Sequence, residues 1–311
     1  MNQFKNKVIL ITGGSGTLGK NLIRRLIPLK PKKIIVFSRD EYKQFVMKRE
    51  FNYAGLRYFI GDVRDITRLD QVCGDVDYII HTAAIKQVDT IEYNPSEAVK
   101  TNILGALNVI QVAIEHKIKK VIALSTDKGV HPVNLYGATK LCSDKLFING
   151  NALSHGVSQF SIVRYGNVAD SRGSVIPYFE SLIKEGNRTL PVTDARMTRF
   201  HITIDEAIDL IFTAFKEMQA GEIFVAKIPS YKLIDLVKHF KCKYKIIGVR
   251  PGEKLHEIMI INEDASRTYD CGNYYIIHPE FDWIEGRKFK GKKVSLDFSY
   301  SSDKNKEWLY K

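Results

Sequence analysis

Tyr136 and Lys140 are spaced four residues apart, which makes them the first candidates for chemistry in this 311-residue chain. On a helix, side chains at i and i+4 lie on one face, so the phenol and the ammonium group would be neighbours. A nearby cation stabilises a phenolate and lowers the pKa of the tyrosine. Such a tyrosine can take a proton from an alcohol while a hydride leaves the same carbon. The pair is common by chance and needs supporting context.

A second set of reactive side chains lies ten residues earlier, where Thr126, Asp127 and Lys128 follow an apolar run. Open α/β sheets bind their ligands at the carboxyl ends of strands, which is where this segment would lie. Elimination of water needs one group to remove a proton from carbon and another to protonate the departing hydroxyl. Asp127 and Lys128 could supply these two groups. The plainer interpretation is a surface ion pair, which contributes little.

A glycine turn near the N-terminus predicts a dinucleotide site, because it follows an apolar run and begins a helical pattern. Gly13 permits the tight turn, Gly16 permits close approach of a pyrophosphate, and Gly19 lets the helix pack on the strand. The free N–H groups of the helix N-terminus then face the anion. The predicted contacts in this turn are Gly13, Ser15, Gly16, Thr17, Leu18 and Gly19.

The end of the second apolar run favours NADP over NAD. An acidic residue here binds the ribose hydroxyls of NAD, whereas a nearby arginine accommodates the 2′-phosphate of NADP. Ser38 and Arg39 precede Asp40, and Lys43 follows, so two cations would otherwise lack an anion. Asp62 and Val63 match the position that recognises adenine. Further cofactor contacts are expected at Thr82, Ala83, Ala84, Lys86, Thr101, Asn102, Tyr136, Lys140 and Val168.

These residues require a parallel sheet to position them, and the apolar pattern predicts one. Short β-branched runs alternate with amphipathic stretches, which is typical of βαβ units in a Rossmann-type doubly wound α/β fold. Strands are predicted at 8–11, 33–37, 57–60, 78–81, 120–124 and 160–164, and helices at 19–29, 98–117 and 205–218. In the second helix Val99, Ile103, Leu107, Ile110 and Ile114 form one stripe. We expect a nucleotide-binding domain at 1–165, a smaller substrate-binding part at 166–285, and a polar, peripheral tail at 286–311.

Composition excludes several classes of protein. The longest apolar runs are too short to span a bilayer, and residues 1–7 lack the features of a signal peptide, so we expect a cytoplasmic protein without membrane contact. The four cysteines are scattered and the eight histidines lack metal-like spacing, so no disulfide or metal site is predicted. The net charge of +12 would suit an anionic partner. Nucleic acid is disfavoured because the lysines are dispersed rather than clustered with aromatic side chains.

The G-x-x-G-x-x-G spacing of the turn resembles that of the short-chain dehydrogenases/reductases. Two longer strings, at residues 134–147 and 249–257, are specific within that superfamily. With the stretches around Asp40, Asp62, Asn102 and Thr193, they make almost the whole chain resemble the UDP-N-acetylglucosamine 4,6-dehydratases, particularly the inverting enzymes of pseudaminic-acid synthesis. These enzymes belong to nucleotide-sugar biosynthesis for glycans.

The resemblance implies roles for residues that spacing alone does not assign. Tyr136 and Lys140 would be the redox pair, Asp127 the acid and Lys128 the base at C5 of the sugar. The substrate UDP-N-acetylglucosamine would contact Lys86, Asn167, Ile176, Thr193, Arg250 and Glu253. Loss of water across C5–C6 would give a 4-keto-6-deoxy sugar, with C5 inverted if the proton returns to the opposite face. The net reaction is that of a lyase. Superfamily members pair through helices, so a homo-oligomer, dimer or hexamer, is expected.

Alternatives on the same scaffold stay open. A UDP-sugar 4-epimerase or a reductase would need only the hydroxyl, the tyrosine and the lysine. A dehydratase that retains the C5 configuration would share Asp127 and Lys128. The chain also departs from the family pattern at Gln87 and Asp170, both expected near the substrate.

Overall fold

A computed structural model of the chain describes residues 2–169, 174–281 and 286–310. The strands are β1 Val8–Thr12, β2 Lys33–Ser38, β3 Leu56–Ile60, β4 Tyr78–His81, β5 Lys120–Thr126, β6 Gln159–Tyr165, β7 Asn167–Val168, β8 Thr189–Val192, β9 Thr198–Ile202, β10 Ile223–Ala226, β11 Ser230–Lys232, β12 Lys243–Ile246, β13 Ile258–Ile260, β14 Thr268–Asp270, β15 Tyr274–Ile277, β16 Lys292–Lys293 and β17 Tyr300–Ser301. The α-helices are α1 Thr17–Leu26, α2 Glu41–Glu50, α3 Ile66–Val72, α4 Val88–Tyr93, α5 Pro95–Ala98, α6 Gly105–Glu115, α7 Leu135–Leu153, α8 Val175–Lys184, α9 Ile204–Glu217 and α10 Leu233–His239.

The central sheet has the strand order β16-β14-β15-β10-β6-β5-β4-β1-β2-β3. From β3 to β10 all neighbouring strands are parallel, and the order 3-2-1-4-5-6 is that of the Rossmann fold. All six predicted strands and the α/β fold class are confirmed. Strands such as β1 are buried along their whole length because helices cover both faces of the sheet.

The predicted helix at 98–117 is a π-helix, Val99–Leu104, that continues as α6. The predicted apolar stripe was partly wrong. The side chains of Val99 and Leu107 are exposed, whereas Ala106, Val109 and Ala113 pack against the sheet with Ile110. A π-helix adds a residue to one turn, so it rotates the residues before it relative to those after it. The junction therefore separates Val99 from the buried face of α6, whereas Leu107 lies within α6 and is simply on its exposed side.

The second half of the chain contributes both to the sheet and to a separate apolar cluster. Strands β10, β14 and β15 extend the sheet, while α8, β8, β11 and α10 enclose a cluster that includes Phe179, Val192, Tyr231 and Leu236. The expected substrate-binding part is thus interleaved with the nucleotide-binding half.

Residues 286–310 are more closely packed than the peripheral tail that we expected. Strand β16 pairs with β14, and β17 pairs with β13. Tyr300 is buried, and its hydroxyl group accepts a hydrogen bond from the Ile228 N–H and donates one to the Ile228 carbonyl. Sequence polarity was misleading here because the segment is held by backbone pairing and a few buried side chains. Within the described ranges, no helix has the length and apolar character to cross a membrane.

Candidate active site

One cavity of about 1190 Å³ lies along the carboxyl ends of the parallel strands and collects most of the predicted site residues. All predicted contacts of the glycine turn line it, as do those that follow β2, β3 and β4. Lys128, Tyr136, Lys140, Asn167, Thr193, Arg250 and Glu253 line it as well. Three predicted residues, Asn102, Asp127 and Ile176, are not among its lining residues. Gln87 lines the cavity, whereas Asp170 lies outside the described residues.

The glycine turn has the geometry that pyrophosphate binding needs. Gly13 has a φ of +68°, and a Cβ there would lie 2.8 Å from the Ala83 nitrogen. A Cβ on Gly19 would lie 2.3 Å from the Gly14 carbonyl oxygen. Gly16 is the N-cap of α1 and has no capping side chain, so the first N–H groups of the helix face the cavity. These groups and the helix dipole favour an anion at this point.

Two side chains after β2 differ in what they contact: Asp40 caps α2, whereas Arg39 lines the cavity. The Asp40 carboxylate caps α2 by accepting from the Lys43 N–H at 2.9 Å, and its bond with the Lys43 side chain holds its pKa below the usual value. Arg39 is half-exposed and lies 3.7 Å from Asp62. Burial would raise the pKa of Asp62, but its bonds with Arg64 lower it on balance. Asp40 is therefore occupied within the helix cap, whereas Arg39 can reach a phosphate.

Thr126 and Tyr136 lie side by side at the centre of the cavity. The Thr126 hydroxyl is within hydrogen-bonding reach of Tyr136 and donates to Asp127 Oδ1 at 2.9 Å. Burial raises the pKa of Tyr136 to about 12, so the lowered value expected from the lysine pairing is absent in the protein alone. Burial lowers the pKa of Lys140, and Asp144, one turn further along α7, opposes that shift. Asp144 accepts hydrogen bonds from Ser125 and Arg164 beneath the site.

Lys128 is held by three oxygen atoms. Its Nζ lies 3.1 Å from Asp127 Oδ1, 3.1 Å from Asn167 Oδ1 and 3.3 Å from Glu257 Oε1. Asp127 is completely buried, and burial together with the charge of Glu257 raises its pKa. Burial also disfavours the charged form of Lys128, but the two carboxylates overcome this and raise its pKa. The pair is thus a buried acid–base cluster and not the surface ion pair of the plainer interpretation.

Glu257 and Arg199 are the main site residues that the sequence analysis missed. Arg199 comes from β9, and its Nε lies 3.8 Å from Glu257 Oε1. Both side chains are buried and line the cavity beside Lys128. Glu257 ends the specific string at 249–257, which was the one sequence signal that pointed to it.

A loop that contains Arg250 and Glu253 lines the cavity and is attached to α7. Arg250 and Glu253 form an ion pair. Asn134, the N-cap of α7, accepts from the Gly137 N–H at 2.8 Å and donates to the Gly252 carbonyl at 2.7 Å. The start of the tyrosine-bearing helix and this loop are therefore fixed to each other.

The remaining predicted residues have clear positions. Lys86 faces the cavity, and burial, followed by the charge of Lys128, lowers its pKa. Asn102 lies behind the wall, where its side chain bonds both the N–H and the carbonyl of Ile85. Ile176 packs against the second apolar cluster. Among the described residues, no group of three or more acidic, histidine or cysteine side chains could hold a metal ion.

Comparison with known proteins gives one family and several close matches. The family model described as "Polysaccharide biosynthesis protein" matches residues 9–279. A Campylobacter jejuni protein named UDP-N-acetylglucosamine 4,6-dehydratase (inverting) is 51% identical over 98% of this chain and 95% of its own length. A Rickettsia akari protein named UDP-glucose 4-epimerase is 40% identical over 97% of this chain and 93% of its own.

A solved structure shows the same fold. The X-ray structure of a protein called Pen, from Bacillus thuringiensis, superposes with a TM-score of 0.90. It is 39% identical to this chain, and the match covers 97% of this chain and 94% of that one.

Proposed function

Because the chain belongs to the polysaccharide biosynthesis protein family and shares half of its residues with an inverting dehydratase of that family, we propose that it dehydrates UDP-N-acetylglucosamine. The reaction removes water across C5–C6 and gives a UDP-4-keto-6-deoxy-N-acetylhexosamine. The configuration at C5 is inverted, as in the name of that relative. The protein is a hydro-lyase of nucleotide-sugar metabolism.

A nicotinamide dinucleotide is the cofactor, and the residues present fit it. The glycine turn leaves room that a Cβ would fill, and the α1 N-terminus presents free N–H groups to a pyrophosphate. We propose NADP because Asp40 caps α2 and Arg39 lines the cavity just after β2, where an arginine accommodates a 2′-phosphate. When bound, the nicotinamide accepts a hydride from C4 of the sugar and later returns it to C6.

Tyr136 accepts the proton of the C4 hydroxyl group during the oxidation. Its pKa of about 12 in the protein alone must fall for this step. The charge of Lys128 already opposes the effect of burial on Tyr136, and a bound oxidised nicotinamide would supply a further positive charge that favours the phenolate. Thr126 holds the phenol in place, and Asp144 supports the positive charge of Lys140.

Asp127 and Lys128 carry out the elimination that follows. A ketone at C4 makes the C5 proton acidic, and Lys128 removes it. Burial and the charge of Glu257 raise the pKa of Asp127, which favours its protonated form, and in that form Asp127 donates its proton to the departing C6 hydroxyl. Lys128 then returns a proton to C5. Arg250 and Lys86 bind and orient the nucleotide sugar, since a guanidinium forks onto two phosphate oxygens.

The buried contact between Lys128 Nζ and Asp127 Oδ1 at 3.1 Å carries this assignment. Incubation of the protein and NADP with UDP-N-acetylglucosamine, followed by NMR, tests it. We expect a C6 methyl doublet, which requires dehydration. Formation of UDP-N-acetylgalactosamine without a methyl signal would instead establish a 4-epimerase. This is the second candidate function because the Rickettsia relative is named UDP-glucose 4-epimerase. Nuclear Overhauser contacts between H5 and the ring protons H1 and H3, with the H1–H2 and H2–H3 couplings that report the ring conformation, then assign the C5 configuration.

We also propose that the protein is a homo-oligomer. Val99, Leu104 and Leu107 lie together along the π-helix and α6 with exposed apolar side chains, which is a surface that a second copy can cover. Light scattering after gel filtration measures the assembly mass. A monomer at micromolar concentration would contradict the proposal.

A further inference from the structure

Glu257 is a buried carboxylate that the mechanism above does not use. Its side chain is 2% exposed, yet it lines the cavity beside Lys128. Its Oε1 lies 3.3 Å from Lys128 Nζ, and among the described residues its Oε2 has no hydrogen-bond partner. A buried carboxylate oxygen without a partner is costly and calls for an explanation.

The proton count at Lys128 provides that explanation. Lys128 touches two carboxyl groups, so it carries a proton before the reaction starts, and an ammonium group cannot act as a base. Asp127 cannot take this proton, because it must itself be protonated to release the C6 hydroxyl as water. Glu257 is the other carboxylate within reach of Lys128 Nζ. We propose that Glu257 is a positioning residue that accepts the Lys128 proton and so turns Lys128 into the base at C5.

This inference rests on the proposed dehydration, and its protons balance. Before elimination Glu257 is ionised, Lys128 is an ammonium and Asp127 is protonated. Lys128 gives its proton to Glu257 and receives the C5 proton. The C5–H electron pair forms the C5=C6 bond as the C6–O bond breaks, and Asp127 protonates the leaving oxygen to give water. Lys128 later protonates C5 and regains its proton from Glu257. The proton that Tyr136 took from the C4 hydroxyl group replaces, by exchange through solvent, the one that Asp127 gave to the departing water, and this restores the starting state.

The surroundings of Glu257 keep it ionised before the reaction and keep the proton on Lys128, so the proton moves to Glu257 only as Lys128 takes the C5 proton. The charged groups that face it are Lys128 and Asp127 after β5, Arg199 of β9, and Lys254 of its own loop. Burial would raise the pKa of Glu257, but Lys128, Arg199 and Lys254 together hold it below the usual value. The carboxylate therefore begins ionised. The Ser302 hydroxyl accepts from the Glu257 N–H at 2.9 Å and so fixes the backbone beneath it.

The test compares Glu257→Gln with wild type in a single turnover of UDP-N-acetylglucosamine. Glutamine keeps the shape and can still accept a hydrogen bond from Lys128, but it cannot take a proton. We expect reduced nicotinamide to form at close to the wild-type rate and to accumulate, while methyl product forms on the order of 100-fold more slowly. Glu257→Asp restores a carboxylate that can accept the proton. It should form methyl product at least about 10-fold faster than Glu257→Gln.

The pH dependence of the dehydration rate distinguishes a Glu257 that accepts a proton from a Glu257 with a purely structural role. Dehydration by wild type should slow as the pH falls through the lowered pKa of Glu257, because a protonated Glu257 cannot accept a proton. This acid limb should be absent in Glu257→Gln. Glu222→Gln removes another buried carboxylate, one that pairs with Arg287 far from the cavity, and should leave the ratio of oxidation to dehydration unchanged.

Three results would overturn the inference. The first is a dehydration rate of Glu257→Gln within about threefold of the wild-type rate. The second is equal slowing of oxidation and dehydration in that variant. The third is an acid limb of the pH profile that persists unchanged in that variant. If wild type itself forms no methyl product, the proposed function fails instead, so the two failures are distinguishable.

Discussion

Lys128 is the residue on which the choice between dehydration and epimerisation depends. Epimerisation needs only proton and hydride transfer at C4, whereas dehydration needs a base at C5. In Lys128→Ala we expect the methyl product to fall on the order of 100-fold or more, while nicotinamide reduction persists. Stopped-flow absorbance and NMR of the same sample measure the two steps. Lys245→Ala, on the exposed strand β12, is the matched control. Near-normal dehydration in Lys128→Ala would disprove the base assignment.

Arg39 should determine the choice of cofactor. Its replacement by alanine removes a charged hydrogen bond to the 2′-phosphate, worth about 1.5–3 kcal/mol or roughly 10–100-fold in affinity. We expect that loss for NADP and almost none for NAD, measured by calorimetric titration of both. Arg49→Ala, an exposed arginine of α2 that packs on Phe45, should alter neither affinity. Equal loss for both cofactors would refute the assignment.

At the scale of elements, the start of α7 must lie directly on the segment that bears Lys128. A Cβ on Gly137 would lie 2.1 Å from the Lys128 carbonyl oxygen, closer than any real contact. Gly137→Ala should therefore displace Tyr136 and Lys128 from each other and slow both oxidation and dehydration, with about 1–3 kcal/mol of destabilisation. Activity assays and thermal unfolding measure the two effects. Gly74→Ala, whose Cβ would meet nothing within 4 Å, should be neutral. A fully active Gly137→Ala would contradict this packing.

The elements were largely predictable from the sequence, and the reason is local. Strands β1, β2, β4 and β5 are buried along almost their whole length, so each appears as a largely apolar run, and the glycine turn needs only adjacent residues. The buried face of α6 was partly misassigned, because Leu107 was taken as buried whereas Ala106, Val109, Ile110 and Ala113 form that face with ordinary helical spacing. Glu257 and Arg199 were missed because they meet Lys128 from distant parts of the chain, where no spacing rule connects them.

At the scale of the whole molecule, the cavity carries an excess of positive charge. The cavity lining, within the described residues, includes ten lysine or arginine side chains and five carboxylates. Both proposed ligands are polyanions, so their association should be favoured electrostatically and weakened by salt. We expect kcat/KM to fall as sodium chloride rises from low to physiological ionic strength, while kcat changes little. A kcat/KM that is independent of salt would contradict this interpretation.

Tyr300 connects residues 286–310 to the rest of the protein. Tyr300→Phe leaves the Ile228 N–H without its buried partner, at a cost of about 1–3 kcal/mol, whereas the Ile228 carbonyl keeps the hydrogen bond that Asn305 donates to it. Urea denaturation should show a lower midpoint with an unchanged slope. Tyr42→Phe, at a tyrosine that is 71% exposed, should leave the midpoint in place. Equal midpoints for both variants would show that the buried hydroxyl contributes nothing.

The bond between Ser302 and Glu257 also has a consequence for how the protein is made. The serine that fixes the Glu257 backbone is translated 45 residues after it, and its hydroxyl also bonds Thr198 beside Arg199. A nascent chain that has reached only the end of β15 already contains every proposed catalytic side chain, but not this anchor. Competence for dehydration should therefore appear late in synthesis, and prematurely terminated chains should bind the dinucleotide without turning over the sugar.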